Sequence, residues 1–486
     1  RAVPSGRKLS RDAFAEPAGD VPGWIVVTAD YVTATDGTGL VHTAPAFGAD
    51  DYATGQKYGL PLFQTIEPSG KVAARAGLER LAGLWFKDAD KEVVRDLKER
   101  GLLLHTERFQ HSYPFCWRCD TPLLQYASKS WFVRTTAIRD TLVTKNATID
   151  WHPAAIGKGR FGNWLEGVVD WALTRTRYWG TPLPVWTCDL CPTIEVIGSF
   201  EELFEKSGQR RPADLYDNQQ FDPHRPFVDD ITWECYGCRK EGRNGTFRRV
   251  PFVIDAWFDS GAMPFAQHHY PFENAALVAP GGRFAPADFI SEAIDQTRGW
   301  FYTLHVLACA LFDSVAFEHC IVMGHVNDEQ GRKMSKRLGN VVDPMGVIAE
   351  TGADAMRWYF YVNDPEQTSR FSAKLVREAA QGLQLPIWNA LSFFTIYANL
   401  DGWHPRAERA IAYPDRTDLD RWILNRLDEE IDQVGRLLDG YRIAEPARRL
   451  EEFVDDLNNW YIRRSRDRFW SAAPASAGAG PEARDP

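Results

Sequence analysis

Three cations lie within five residues of one short stretch: Lys333, Lys336 and Arg337, in GHVNDEQGRKMSKR at 324–337. Ammonium groups on flexible stems can stabilise the negative charge that develops on phosphates during their transfer. The residues just before, EHCIVM at 318–323, form a β-branched and apolar run typical of a buried strand. Placed beyond the carboxyl end of a strand in an α/β sheet, the lysines predict nucleotide chemistry. On charge spacing alone, a solvated basic loop is the commoner outcome.

The string K-M-S-K-R resembles the K-M-S-K-S signature loop of class I aminoacyl-tRNA synthetases. The Gly-His pair at 324–325 and the Gly-Asn pair at 339–340 stand where that family keeps similar residues. Arg337 replaces the commonest serine, a change that leaves both lysines in place. The resemblance implies that six residues serve ATP: Lys333 and Lys336 as the catalytic cations, with Gly324, His325, Met334 and Ser335 binding the nucleotide.

A second polar group lies in ADFISEAIDQTRGWFYTLHVLACALF, residues 287–312, which is predicted to begin as a strand and to become a helix. Glu292, Asp295 and Gln296 share one face if the turn between them is helical, since they lie at i, i+3 and i+4. Such a cluster at a strand-to-helix junction can bind an amine and ribose hydroxyls, although a capping cluster explains it equally well. The string E-x-x-D-Q-x-R-G-W resembles the same synthetases. The resemblance implies that the three polar residues bind the aminoacyl-adenylate and that Trp300 closes an isoleucine pocket.

The segment VIDAWFDSGAMPF, residues 253–265, is predicted as a strand followed by a loop. Taken alone, Trp257 and Phe258 fit a core, and the Asp-Ser pair at 259–260 fits a helix cap. The string D-x-W-F-D-S-G resembles the family, and the resemblance implies that Trp257 belongs to the isoleucine pocket.

Six of the eight cysteines form three C-x-x-C pairs: Cys116 with Cys119, Cys188 with Cys191, and Cys235 with Cys238. In a large chain without a secretory signal, such pairs favour metal binding over disulfides. The second and third pairs can give Zn²⁺ four thiolates in a closed, structural site, and the 43 residues between them are expected to loop out. The first pair lacks an evident partner pair, which in the resembling family lies upstream. Cys309 and Cys320 are predicted to be core residues.

The densest motif near the beginning is GTGLVHTAPAFGADDY, residues 37–52. Its glycines let the backbone approach a ligand, and His42 and Asp51 offer polar groups on the same loop. A satisfied turn histidine and solvated acids are the simpler interpretation. The string resembles the H-x-A-P-A-F-G-x-x-D motif of the isoleucyl-tRNA synthetase editing domain. That resemblance implies that Asp51 anchors the amino group of a mischarged valine, that His42 lines the pocket, and that a Thr-rich strand completing the site lies before Arg1.

Two regions interleave basic and aromatic side chains, a combination that suits contact with RNA phosphates and bases. The first region lies in DWALTRTRYWGTPLPVW at 170–186 and contributes Arg175, Arg177, Tyr178 and Trp179. The second lies near the end of the chain and contributes Arg463, Arg464, Arg466 and Arg468 beside Trp460, Tyr461, Phe469 and Trp470. An ordinary turn and a charged outer helix face are the alternatives for any single residue.

Length and charge limit the classes of protein. A chain of 486 residues predicts several domains, and a net charge of −10 means that a polyanion must be bound by local basic patches. No run of about eighteen apolar residues and no apolar signal core are present, so a soluble, cytosolic protein is expected. Because the chain opens with Arg1 and closes in the small-residue tail SAAPASAGAGPEARDP, both ends are expected to be cuts in a longer protein.

The expected fold class is α/β: the second half of a Rossmann-type class I synthetase catalytic domain, preceded by a β-rich editing remnant and followed by a helical bundle. The expected segments are an editing remnant at 1–127 with strands such as WIVVTADYV and TGLVHTA, a catalytic half at 128–345 with a zinc-knuckle insertion at 187–245, connecting helices at 346–400, and the start of an anticodon-binding domain at 401–486.

The resemblance implies an isoleucine-tRNA ligase that uses ATP, Mg²⁺ and Zn²⁺, binds tRNA(Ile) and isoleucine, edits mischarged valine and acts as a monomer. The family's other nucleotide signature, H-I-G-H, does not occur in the sequence, so the chain alone is expected to activate isoleucine negligibly. Two alternatives stay open. A valyl-tRNA synthetase should carry P-A-H-D where this chain has Pro45-Ala46-Phe47-Gly48. A non-catalytic, zinc-containing tRNA-binding module would need only the basic helices and the cysteine pairs.

Overall fold

The computed structural model describes residues 25–470, with gaps at 34, 36–37, 76, 108–109, 117–118, 177–178, 216, 218 and 406–409, and describes Arg337 without its side chain. The chain divides into two compact units, Arg1–Ser130 and Trp131–Pro486. The segment boundaries expected at residues 127, 345 and 400 stay predictions.

Helices and irregular chain make up the described part of the first unit. Its helices are α1 (Ala49–Tyr58) and α2 (Phe86–Glu99). The prediction of a β-rich unit is wrong for these residues, because the described parts of WIVVTADYV and TGLVHTA form no strand. A strand needs a neighbour for its backbone hydrogen bonds, and neither run has a partner strand within the described chain. Val26 and Leu40 accordingly lie 87% and 73% exposed.

The second unit holds all strands of the described chain. They are β1 (Phe132–Val133), β2 (Asp150–His152), β3 (Trp171–Ala172), β4 (Thr174–Arg175), β5 (Val185–Cys188), β6 (Ile194–Val196), β7 (Trp233–Glu234), β8 (Thr246–Arg249), β9 (Val253–Ile254), β10 (Ala287–Ala293), β11 (Phe317–Met323), β12 (Val326–Asn327) and β13 (Ser369–Arg370). They form a three-stranded sheet, a four-stranded sheet and several two-stranded pairs.

The helices of the second unit become dominant towards its end, as the amphipathic pattern predicts. They are α3 (Arg139–Asn146), α4 (Ala154–Ile156), α5 (Gly162–Glu166), α6 (Phe200–Ser207), α7 (Tyr236–Lys240), α8 (Ala256–Ala266), α9 (Ala275–Val278), α10 (Trp300–Phe312), α11 (Pro344–Thr351), α12 (Ala353–Val362), α13 (Ala373–Gly382), α14 (Gln384–Leu400), α15 (Asp418–Asp439), α16 (Ala444–Asp455) and α17 (Arg463–Trp470). None of the described helices combines the length and apolar character that crossing a bilayer requires.

The three-stranded sheet positions the candidate site. Its strands are all parallel, in the order β10-β11-β2. Parallel neighbours need a crossover connection, and α10 supplies the one between β10 and β11. The sequence of α10 is apolar on every side, so that all residues from Phe301 to Cys309 are buried. The buried strand predicted at 318–323 is confirmed as part of β11.

The four-stranded sheet is antiparallel, in the order β6-β5-β8-β7, and has its own core. Trp186, Phe204 and Phe247 are among the residues buried there. The segment between the second and third cysteine pairs, expected to loop out, instead folds into β6, α6 and β7 against this core. The cysteine pairs therefore belong to a packed subdomain with its own apolar interior.

The turn between α15 and α16 packs on the three-stranded sheet. Tyr441 in this turn has φ 57°, a left-handed conformation that is rare outside glycine. Its ring stacks on His319 of β11, with centroids 4.5 Å apart, and on Phe289 of β10 at 5.4 Å. The ring of His152 on β2 lies 5.8 Å away. One side chain from the helical region therefore contacts all three strands of the sheet.

Candidate active site and metal centre

Two of the predicted motifs lie at neighbouring strand ends. In the register of β10 and β11, Glu292 pairs with Val322 and Ala293 with Met323. The E-x-x-D-Q string therefore begins where β10 ends, and Gly324 directly follows β11. Carboxyl ends of parallel strands meet at one sheet edge, where open α/β sheets bind their ligands.

The three polar residues of the string do not share a helical face. Glu292 is still part of β10, whereas Asp295 and Gln296 lie in a 3-10 turn, Ile294–Arg298. The turn intervenes because α10 begins only at Trp300. Gln296 Nε2 donates to Asp295 Oδ2 at 3.3 Å, and its Oε1 accepts the backbone N–H of Trp300 at 2.9 Å. Glu292 and Asp295 are exposed.

Trp257, one of the two predicted pocket tryptophans, lies close to Gly299. A Cβ on Gly299 would lie 2.7 Å from Gln296 Oε1 and 3.1 Å from the Trp257 ring. Trp300 Nε1 donates to the carbonyl of Ser260 at 3.1 Å, which joins α10 to α8. Trp257 is 44% exposed. The geometry thus places the Gln296 amide and the Trp257 ring beside a glycine that leaves them room, while the Trp300 indole is bonded to α8.

The segment after β9 is a helix, which corrects the predicted loop. Its first residue is Ala256, and Asp255 caps it by accepting the backbone N–H of Trp257 at 3.3 Å. The cap considered at Asp259 and Ser260 is therefore wrong, because both residues lie inside the helix. Burial raises the pKa of Asp259.

Asp255 also forms an ion pair with Arg175, one of the residues for which contact with RNA is predicted. Asp255 is 6% exposed, and its Oδ2 lies 2.6 Å from Arg175 Nη2. The sequence does contain a signal for the role of Asp255, because an aspartate directly before an apolar helical run is a typical N-cap. Of the neighbouring residues considered for RNA, Trp179 stacks on His224 with centroids 4.5 Å apart, while Arg177 and Tyr178 lie outside the described residues.

The K-M-S-K loop is anchored at its base to the segment before α13. β12 pairs with β13 in parallel, and the N–H of Gly324 donates to the carbonyl of Pro365 at 2.8 Å. A Cβ on Gly324 would overlap the backbone of Gln367. The glycine is therefore required by the close approach of two backbones.

Lys333 and Lys336 are exposed and have no ion-pair partner among the described residues. Gly324 and His325 line an apolar cavity of about 620 Å³ together with residues such as Phe289 and Met323. The two lysines, Glu292 and Trp257 are not part of its lining. The convergence of the lysines with the adenylate residues in one crevice stays a prediction.

Four cysteines do come together. The Sγ atoms of Cys188, Cys191, Cys235 and Cys238 all lie within 4.8 Å of one another. Gly245 makes room for them, because a Cβ there would lie 2.6 Å from one Sγ and 2.8 Å from another. Burial raises the pKa of the Cys238 thiol to about 12, whereas the Thr193 hydroxyl lowers that of Cys191 to about 6. Four sulfurs at this separation fit a tetrahedral metal ion, which binds them as thiolates.

The first cysteine pair lacks such a setting. Cys119 Sγ lies 2.7 Å from the hydroxyl of Thr121, and that hydrogen bond lowers the pKa of the Cys119 thiol. No third metal-ligating side chain joins Cys116 and Cys119 within the part of the chain that is described. A metal at this pair stays a prediction.

Comparison with known proteins identifies the family. The model of class I tRNA synthetases for isoleucine, leucine, methionine and valine matches residues 77–372. The chain belongs to the class I tRNA synthetases. The anticodon-binding domain model of tRNA ligases matches residues 420–484. This second match covers the predicted basic and aromatic region near the end of the chain.

Curated relatives of this synthetase chain are isoleucine-tRNA ligases. The protein from Thermus thermophilus is 50% identical over 92% of the chain and 41% of its own length. Those from Clostridium novyi and Streptomyces coelicolor are 49% and 46% identical, over 93% and 97% of the chain. The chain spans less than half the length of these relatives. A methionyl-tRNA synthetase of Mycobacterium tuberculosis with methionyl-adenylate matches with a TM-score of 0.50 and 17% identity over 74% of this chain and 58% of its own, which shows a shared fold.

The synthetase chain carries its predicted editing residues on α1 and the loop before it. Asp51 lies in the first turn of α1, and its Oδ2 accepts the backbone N–H of Ala44 at 3.0 Å. A Cβ on Gly48 would lie 2.9 Å from the same oxygen, so the glycine admits the carboxylate. His42 is exposed. Their roles in editing stay predictions.

The last helices of the synthetase chain divide its basic and aromatic residues into two groups. Arg468 and Tyr461 both bond to the buried Asp420, at 2.6 and 2.8 Å, and Phe469 packs on Phe393. This corrects their assignment to RNA contact, because their side chains hold the helices together. The remaining members are all exposed, and Arg464 lies over the ring of Trp460 while Arg466 lies over that of Trp470.

Proposed function

We propose that this chain serves the ATP-dependent activation of isoleucine and transfer of the isoleucyl group to tRNA(Ile), in the cytosol. The observation that carries the proposal is that Trp257 and Gln296 lie together at Gly299, beyond β10 and next to the strand that leads into the K-M-S-K loop. The Trp300 indole is bonded to the same helix that carries Trp257. An indole beside an amide fits a small apolar amino acid, because its side chain packs on the ring and its amine needs a polar partner. The identity to isoleucine-tRNA ligases supports the choice of amino acid.

In the proposed reaction, the carboxylate of isoleucine attacks the α-phosphorus of ATP, and the bond to the bridging oxygen breaks. Isoleucyl-adenylate and pyrophosphate form, and a terminal ribose hydroxyl of tRNA then displaces AMP. Lys333 and Lys336 stabilise charge on the departing phosphates, while Glu292, Asp295 and Gln296 bind the adenylate. Mg²⁺ supplies further neutralisation of the phosphates. Positioning and electrostatics carry such a displacement without a covalent enzyme intermediate.

Binding of a stable adenylate analogue tests the proposal. Titration of the purified chain with an isoleucyl-sulfamoyl adenosine should show binding that Trp257→Ala weakens about tenfold, because an indole packed on the ligand is lost. Trp460→Ala, in the helical region, is the matched control and should leave the affinity unchanged. A valyl analogue that binds as tightly would instead favour the valyl alternative.

The non-catalytic alternative predicts a different outcome. A tRNA-binding module would bind tRNA with the same affinity after Lys336→Ala and would bind neither ATP nor the analogue. That pair of results would overturn the proposal.

The chain alone should activate isoleucine negligibly, because H-I-G-H does not occur in its sequence. Isoleucine-dependent exchange of labelled pyrophosphate into ATP is the measurement. Exchange clearly above the level without isoleucine would contradict this expectation.

We also propose hydrolysis of valyl-tRNA(Ile) as an editing function of the first unit. The supporting observation is that Ala44 donates to Oδ2 of Asp51, while Oδ1 has no hydrogen bond within the part of the chain that is described and can accept one from the amino group of the substrate. Loss of labelled valine from valyl-tRNA(Ile) should be slower with Asp51→Ala than with Asp50→Ala, a change at the neighbouring acid. Equal rates with both variants would count against this role.

A further inference from the structure

A buried aspartate lies inside the K-M-S-K loop region. Asp328, one residue after β12, is 4% exposed. It accepts three hydrogen bonds: from the backbone N–H of Arg332 at 2.7 Å, from Arg332 Nε at 2.9 Å and from Asn340 Nδ2 at 2.9 Å. A carboxylate removed from water must be compensated in this way. These bonds, that from Asn340 above all, lower the pKa of Asp328 and keep it ionised at neutral pH.

Asn340 connects the two sides of the loop. Besides Asp328, its Nδ2 donates to the carbonyl of Lys333 at 3.1 Å, and its Oδ1 accepts the backbone N–H of Ser335 at 2.9 Å. Ser335 in turn caps the 3-10 turn Lys336–Leu338 by accepting the N–H of Leu338 at 3.2 Å. An amide offers two donors and an acceptor on one rigid plane. Neither a carboxylate nor a hydroxyl can make this set of bonds.

The same contacts distinguish the cation that is paired within the loop from the two lysines that are exposed. Arg332 is paired with Asp328, whereas neither Lys333 nor Lys336 has an ion-pair partner in the described part of the chain. The backbone of Lys333 is bonded directly to Asn340, and Lys336 begins the turn that Ser335 caps. The charge of Arg332 is therefore neutralised inside the loop by Asp328, whereas the ammonium groups of Lys333 and Lys336 are exposed to solvent.

We propose that Asp328 and Asn340 form a clasp that positions Lys333 and Lys336 for the phosphates of ATP. The inference rests on the proposed function. Both are positioning residues, since their polar groups bond the loop. A loop held in one shape before ATP arrives loses less conformational entropy when it binds.

Tryptic cleavage after Lys333 and Lys336, followed by mass spectrometry on the whole chain, measures the opening of the clasp. Cleavage in a folded loop tracks the population of its open form. Asn340→Ala and Asp328→Asn should raise both rates about tenfold, because several hydrogen bonds are lost. Asn458→Ala is the matched control, since Asn458 Nδ2 donates to the carbonyl of Val454 at 2.9 Å in a helical segment outside the loop. Its rates should equal those of the unchanged chain.

Exchanging the aspartate and the asparagine between the two positions distinguishes loss of the clasp from general destabilisation. Asn340→Asp places two carboxylates together and should give the fastest cleavage. The double variant Asp328→Asn with Asn340→Asp restores a donor and an acceptor and should cleave more slowly than Asn340→Asp alone. The thermal midpoint of the whole chain should stay unchanged in each variant. Cleavage rates equal to those of the unchanged chain in the single variants would overturn the inference.

Protection by ATP with Mg²⁺ tests the positioning role. ATP should slow cleavage of the unchanged chain, and Asn340→Ala should require about tenfold more ATP to reach the same cleavage rate, because ATP that binds the closed loop must offset a tenfold larger open population. Equal protection in both chains would overturn the positioning role. Absence of protection in the unchanged chain would refute ATP binding, and with it the proposed function, while the cleavage rates would still decide whether the clasp exists.

Discussion

Buried carboxylates decide which arginines near the predicted sites are free to meet a ligand. Three aspartates are only 6%, 4% and 5% exposed. Each pairs with one arginine: Asp255 with Arg175, Asp328 with Arg332, and Asp420 with Arg468. Counting cations along the sequence therefore overstates the positive charge that a nucleic acid or phosphate would meet.

Asp420→Asn should destabilise the helical region in a pH-dependent manner. Burial raises the pKa of Asp420, but hydrogen bonds from Arg468, Thr417 and Tyr461 outweigh it and bring the pKa to about 2. Because this lies below the unfolded value of about 3.9, the stabilisation is complete at neutral pH and is lost as the pH falls through about 2. At pH 7 the substitution should lower the free energy of unfolding by about 2 kcal/mol in urea titrations.

Asp418→Asn on the same helix is the control for this prediction. The Asp418 side chain is 96% exposed and pairs with Arg421 in solvent. Removing this ion pair by Asp418→Asn should lower the free energy of unfolding by less than about 0.5 kcal/mol. Similar costs at both positions would show that the bonds to Asp420 contribute little.

At the scale of elements, the stability of a short turn with little apolar surface can depend on a ligand that it binds. The two C-x-x-C turns are of this kind. The cysteine subdomain has its own core, and the sulfurs of its two C-x-x-C turns approach each other, with Cys188 and Cys238 at 3.6 Å and Cys191 and Cys235 at 3.7 Å. A metal ion joining both turns would add its binding free energy to folding. The strand-end residues Glu292 and Gln296 need no such ligand, because β10 and α10 belong to the large core.

Removal of zinc should unfold the cysteine subdomain before the sheet. We expect one zinc per chain by elemental analysis, and a strong chelator should increase hydrogen exchange in β5 and β8 while leaving β10 and β11 protected. Cys235→Ser should have the same effect without chelator, because a closed site needs all four thiolates.

Cys309→Ala is the control, since this cysteine lies in α10 and outside the cluster. It should keep the zinc. A chain that contains no zinc, or a subdomain indifferent to chelation, would contradict the structural role.

At the scale of the whole second unit, one aromatic side chain connects the helical region to the sheet. Tyr441 adopts a left-handed backbone conformation and stacks on His319 and Phe289. A strained backbone persists only where the surrounding contacts compensate for it. The helices beyond α14 are therefore coupled to the strands that carry the candidate site.

Tyr441→Ala should weaken this coupling. Each aromatic pair contributes about 0.5–1.5 kcal/mol to stability, so Tyr441→Ala should lower the free energy of unfolding by about 2 kcal/mol. Hydrogen exchange should rise in α15 and α16 more than in β11, because the helices lose their anchor on the sheet. Tyr441→Phe keeps the ring and should behave like the unchanged chain. Uniform exchange increases across the unit would instead indicate a general loss of stability.

The sequence by itself determined the chemistry-bearing strings and several of the elements that carry them. Apolar runs identified β11 and α10, and cysteine spacing identified the four-sulfur cluster that the structure assembles. These are local properties, since a strand, a buried helix or a C-x-x-C turn is encoded within a few residues. The family followed from strings of this kind.

Only the tertiary structure decided which groups are free and which are paired. The ion pair of Arg175 with Asp255 joins residues 80 positions apart, and that of Arg468 with Asp420 joins residues 48 apart. Likewise, the apolar runs expected as strands near the beginning form none in the described chain, because a strand depends on a partner elsewhere. Pairing across long separations depends on the folded path of the chain, and no local pattern records it.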